Sequence, residues 1–186
     1  DVLAMIVLAA GVSTLVSATV GVTTLLAFDL IPPAGYGETW KAWWLGDVIG
    51  DLFATPLILV CAGWKPRPRW PRYGESAALA LVIIGVGLLV FGEASQLDGV
   101  ARGREYMLFP PLIWAALRFG TRGSVTSSTL VTIIAIVYTA MGRGPFVHGD
   151  LHTNLLALQT FAGISGATFL VLGASMAERR RAAKDL

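Results

Sequence analysis

The sequence predicts an all-α integral membrane protein, a bundle of about six transmembrane helices with its C-terminus in the cytoplasm. Composition is the first reason: 55% of the 186 residues are apolar, 14% are charged and the mean hydropathy is +0.68. A soluble domain carries about one quarter charged residues. The second is that the charges fall between long apolar runs, as expected of helices that satisfy their own backbone in lipid; the short alternating segments of a β-barrel are missing. The third is an unequal division of basic residues between alternate loops.

The first span covers residues 2–28. Ser13, Ser17 and Gly21 recur every four residues, a small-residue stripe suited to close helix packing in lipid. Pro32 and Pro33 end this span, because proline removes a donor and restricts its predecessor. The second span, 41–62, begins among Trp40, Trp43 and Trp44, whose indoles favour the headgroup level. Gly46 and Gly50 let another backbone approach, and Pro56 is expected to kink the helix. Cys61, the single cysteine, reads as a small apolar core residue and excludes an intrachain disulfide.

Trp64 to Arg72 is a loop rich in basic residues, proline and tryptophan, expected at the cytoplasmic headgroups. A net charge of +2 gives no support to nucleic-acid binding. The third span, 76–91, leads into a polar loop with Glu93, Asp98, Arg102 and Arg104. The fourth, 105–119, is short and contains Pro110 and Pro111, so it reads as a broken or tilted helix whose freed backbone groups are satisfied by neighbours. Gly120-Thr121-Arg122-Gly123 forms a tight turn into the fifth span, 123–141. After Gly142-Arg143-Gly144-Pro145, Asp150 or Thr153 caps the sixth, 152–176. Residues 1–177 thus make the membrane domain, and the charged, helix-prone 178–186 begins a cytoplasmic helix. The first residue is Asp1 rather than methionine, and the chain is expected to belong to a longer one.

With the C-terminus inside, Lys65, Arg67, Arg69, Arg72, Arg118, Arg122, Arg179, Arg180, Arg181 and Lys184 face the cytoplasm, against Lys41, Arg102, Arg104 and Arg143 outside. Ten against four supports this orientation.

The residues with chemical interest lie on the second span. Asp47 and Asp51 are one helical turn apart, and Asp47 is six residues, about 9 Å, below Lys41. A carboxylate in mid-bilayer costs roughly 2.5–3.5 kcal/mol on insertion scales, so this face is expected to turn inward. Two ionised carboxyls one turn apart repel, and protonation or a nearby cation relieves them; Arg118 and Arg143, beside span ends, are the candidate partners. An intramembrane aspartyl protease would place its acids on different helices, and no Gly-x-Ser-x-Gly or His-Glu-x-x-His is present. His148 and His152 with Asp150 between lack further ligands for a metal.

Several motifs in order carry a resemblance: Trp43-Trp44-Leu45-Gly46-Asp47-x-x-Gly50 with Thr55-Pro56-Leu57; Phe109-Pro110-Pro111-Leu112-Ile113-Trp114-Ala115-Ala116-Leu117-Arg118-Phe119-Gly120; Thr139-Ala140-x-Gly142-x-Gly144-Pro145-Phe146; and Leu156-x-Leu158-Gln159 leading to Glu178-Arg179-Arg180-Arg181. Together they resemble the membrane-associated sensor domain family, MASE type one, over nearly the whole chain. The family usually has further N-terminal spans with a Trp-Pro-Pro-Ala-Gly type motif, so the chain looks like the C-terminal two thirds of such a domain.

The resemblance implies a non-catalytic sensory input domain in the bacterial inner membrane, feeding a histidine kinase or diguanylate cyclase that follows it. It implies a homodimer formed through that output module, with a small ligand or a partner membrane protein as signal; the cofactor is unknown. The expected sensing residues are Asp47, Asp51, Trp43, Trp44, Tyr106, Arg118 and Arg143. The competing readings are a solute or cation transporter using the two aspartates and a passive anchor that dimerises the output.

Overall fold

A computed structural model describes residues 11–62, 70–92, 103–147 and 149–183. The expectations for residues 1–10, for most of the Trp64–Arg72 loop, for Glu93, Asp98 and Arg102, and for His148 and Lys184 fall outside the described residues. Among those described there are five α-helices and no strand: α1 (Ser13–Ala27), α2 (Tyr36–Ala62), α3 (Trp70–Phe91), α4 (Phe109–Ala140) and α5 (Leu151–Ala182). Short 3₁₀ turns, Pro33–Gly35 and Arg104–Leu108, lead into α2 and α4.

Four stretches are long and apolar enough to cross a membrane: Pro33–Ala62, Tyr73–Phe91, Arg104–Ala140 and Leu151–Ala182. The described part of α1 is apolar but shorter. Proline at N1 of the turn suits Pro33, whose missing N–H would be unpaired there anyway, so this segment starts α2 a turn earlier than expected. α2 stays one helix across Pro56, which is buried.

The two expected spans 105–119 and 123–141 are a single helical element with one break. Gly120 has φ 65° and ψ −148°, a region open essentially to glycine alone. Phe109 meets Phe169 edge-on at 5.4 Å, and the Arg180 guanidinium bonds to the carbonyls of Leu117 and Arg118. Beyond Gly120 the neighbours on α5 run backwards, Ser124 touching Gly173 and Ser128 sharing a cavity with Gly166 and Leu170. The first arm of α4 therefore runs with α5 and the second against it. One residue does what the sequence assigned to a four-residue turn.

The main core lies between α3, α4 and α5, around Ile83, Phe91, Leu108, Leu112, Ala135 and Phe169. A smaller cluster of Leu52, Val125 and Leu170 joins α2 to it. α1 packs on α2 in antiparallel fashion, outside this core. Cys61 is exposed rather than buried, because α2 turns only Leu52 and Pro56 fully inward.

The element contacts sort the ends of the bundle. The Glu75–Arg118 pair and Arg180 define one end, which also holds Arg122, Arg179 and Arg181. The other holds Lys41, Arg143 and the loop at Asp150.

Candidate functional site

Helix α1 is joined to α2 by a seam of hydrogen bonds. From the middle of the helices outward, Trp44 Nε1 donates to Gly11 O at 3.2 Å and the Ser17 hydroxyl donates to Asp47 Oδ2 at 2.8 Å. Further out, Trp40 Nε1 donates to Thr19 Oγ1 at 3.1 Å, and the hydroxyls of Thr23 and Tyr36 lie 3.0 Å apart. Interhelical hydrogen bonds in membranes average about 0.6 kcal/mol, so the seam contributes about 2–3 kcal/mol.

The small stripe on α1 matters to this seam. Gly21 lets the Trp43 ring lie flat on α1: a methyl group there would be 2.9 Å from Trp43 Cζ2. Trp40 and Trp44 stack at 5.9 Å. The indole donors of Trp40 and Trp44 are spent on Thr19 and Gly11. Gly46 approaches Gln159 Nε2 on α5, while nothing lies within 4 Å of where a side chain on Gly50 would begin.

Asp47 is half-buried, turned toward α1 and satisfied by Ser17. Asp51, a turn deeper, is also half-buried. Trp43 and Trp44 share this face. The other expected sensing residues lie elsewhere. Tyr106 is 60% exposed, edge-on to Phe109 at 5.5 Å, in a turn that packs on α3 and α4. Arg118 is at the opposite end, its Nε donating to Glu75 Oε1 at 2.5 Å. Arg143 is in the turn after α4, its backbone N–H donating to Tyr138 O. Asp47, Asp51, Trp43 and Trp44 lie together on one face of α2, and Arg118 and Arg143 lie away from it.

Two further constellations were not expected from the sequence. At the basic end, the break at Gly120 frees the last carbonyls of the first α4 arm. Helix ends need such partners, and cations suit C-terminal carbonyls. Arg180 of α5 supplies one, with 2.9 Å from Nη1 to Arg118 O, and Arg118 in turn holds Glu75 of α3. Three elements are thereby tied at the point where α5 leaves the bundle. The second constellation is a cavity of about 10 Å³ between Leu52 and Phe53 of α2, Ser124 and Ser128 of α4, and Gly166 and Leu170 of α5. Its sequence signal was present: glycines at 163, 166 and 173 on α5, and Ser124 and Ser128 four apart on α4.

At the opposite end Asp150 caps α5, accepting from the Thr153 hydroxyl at 2.6 Å and from the Thr153 N–H at 3.3 Å. The hydroxyl first, and the N–H second, hold its carboxyl below the usual range. His152 is exposed, and no cluster of three metal-type ligands exists among the described residues.

A bundle of long apolar helices with a polar seam in one helix pair, a broken helix and an arginine-clamped exit defines a multi-pass membrane domain. The MASE1 family model matches residues 1–180, and the chain belongs to the MASE1 family of membrane sensory domains. No curated protein and no solved structure matches the chain.

Proposed function

We propose that this chain is the input domain of a bacterial inner-membrane signalling protein, spanning the membrane six times with its C-terminus in the cytoplasm. A small ligand or a partner membrane protein engages the outer half near Asp47, Trp43 and Trp44. The response passes along α5 to a dimeric output module, a histidine kinase or a diguanylate cyclase. The supporting observation is α5 itself. It is 32 residues without interruption, begins at the Asp150 cap, contacts α2 and α4, and continues through Arg179–Arg181. It packs on α2, the helix that carries Asp47, and supplies Arg180 to the exit clamp.

A ligand shifts such an equilibrium only through different affinities for its two states. Asp47→Asn keeps the shape and the Ser17 bond but removes the charge. In the full-length protein it is expected to abolish the response to signal while leaving expression unchanged. An unchanged response would make Asp47 a packing residue.

The relay is tested at the clamp. Arg180→Ala is expected to change basal output several-fold, since it unties α5 from both arms' junction, while Arg179→Ala, with no bond of this kind, leaves output near wild type. Equal effects of the two variants would reduce the clamp to general surface charge.

A further inference from the structure

We infer that the junction of α2, α4 and α5 holds one water molecule, bridging Ser124 Oγ and Ser128 Oγ inside the membrane-spanning part of the bundle. The two serines lie one turn apart on the same face of α4. Ser124 is fully buried and Ser128 is 6% exposed. Neither hydroxyl has a hydrogen-bond partner among the described residues. Both line the same cavity of about 10 Å³, which is about the room one water requires.

Several other hydroxyls of the bundle bond to the carbonyl one turn back, although those of Thr129 and Thr139 do not. Thr126 does so to Arg122, Thr160 to Leu156, Ser165 to Phe161 and Thr168 to Ile164. Ser124 is denied this, because the carbonyl one turn back belongs to Gly120, whose backbone is not helical. Gly120 O is turned toward α5 instead, 3.1 Å from where a methyl group on Gly173 would sit.

A buried water needs two to four polar partners. Two hydroxyls, each able to donate and accept, meet that need: the water donates to one and accepts from the other. Leu52, Phe53 and Leu170 line the rest of it with apolar carbon. With no bulk water in the hydrocarbon region, an unpartnered hydroxyl there is costly, which favours retention of this molecule.

The test is a double-mutant cycle on the full-length protein in nanodiscs, reading thermal stability. With a bridging water, Ser124→Ala and Ser128→Ala each strand the other hydroxyl, and each is expected to lower Tm by about 2–4 °C. The double variant then loses no more than either single one, a non-additive result. Additive losses, or a Tm that rises in both single variants, would overturn the bridge. If a variant fails to fold, a high-resolution map of the unmodified protein decides. Density within hydrogen-bond distance of both serine oxygens supports the proposal; a dry cavity with both hydroxyls turned to backbone carbonyls overturns it.

Discussion

Gly120→Ala is expected to destabilise the domain by about 1–3 kcal/mol, the cost of holding a residue with a β-carbon in a backbone region that glycine alone occupies freely. Space is not the obstacle. A methyl group on Gly120 would lie 3.6 Å from Ala177 Cβ and 3.7 Å from Gly173 O, ordinary contact distances. The loss is therefore conformational, and Gly120→Asn, whose tolerance of positive φ is confined to the αL region, should recover nothing relative to alanine at this ψ. Thermal or denaturant unfolding in nanodiscs measures both. A Gly120→Ala protein as stable as the native one would mean that the arms of α4 are not held in this break. The Arg180 bonds to Leu117 and Arg118 should weaken in step, because they depend on carbonyls that only a broken helix leaves free.

Gly173→Ala is the second large effect. The added methyl would lie 2.8 Å from Ser124 Cβ and 3.1 Å from Gly120 O. Since backbone must move to make room, the overpacking cost is about 1–3 kcal/mol, against which a helix gains up to about 1 kcal/mol on exchanging glycine for alanine. Gly166→Ala is the matched comparison. Its methyl would meet the tip of the Phe53 ring at 2.7 Å and Leu52 Cδ2 at 3.1 Å, side-chain ends that can swing aside. It should fall within about 1 kcal/mol of the native protein. If both variants behaved alike, the tight approach of α4 and α5 at Ser124 would be wrong.

Much of this arrangement could be read from the chain. Apolar run lengths disclosed the spanning stretches, and the four-residue spacing of Ser13, Ser17 and Gly21 disclosed a packing face, since both need only helical periodicity. Asp150 stood with Thr153 as a candidate cap before an apolar run, and the structure puts Asp150 at the N-cap with Thr153 as its partner. What periodicity does not carry is the identity of the neighbour. Tyr106, Arg118 and Arg143 were grouped with the aspartates because all lie near span ends, yet three-dimensional adjacency distributes them over three places. The preference of tryptophan for the headgroup level could be read from the chain, but that Thr19 Oγ1 and Gly11 O accept from two of the indoles could not. The Gly120 turn was legible as a change of direction, but its one-residue length follows from a dihedral angle and not from a spacing. Pro110 and Pro111, read as a break, instead begin α4, where their missing donors cost nothing.

The close approach at Gly173 also governs what kind of motion α5 can transmit. This pinch divides the helix unequally: about 33 Å extends toward the Asp150 end and about 14 Å toward Ala182, at 1.5 Å per residue. A tilt about that fulcrum delivers less than half of its outer travel to the exit, so a rocking lever is a lossy transmission here. Twisting about the long axis suffers no such attenuation, so the relay proposed for α5 would be served better by torsion than by rocking.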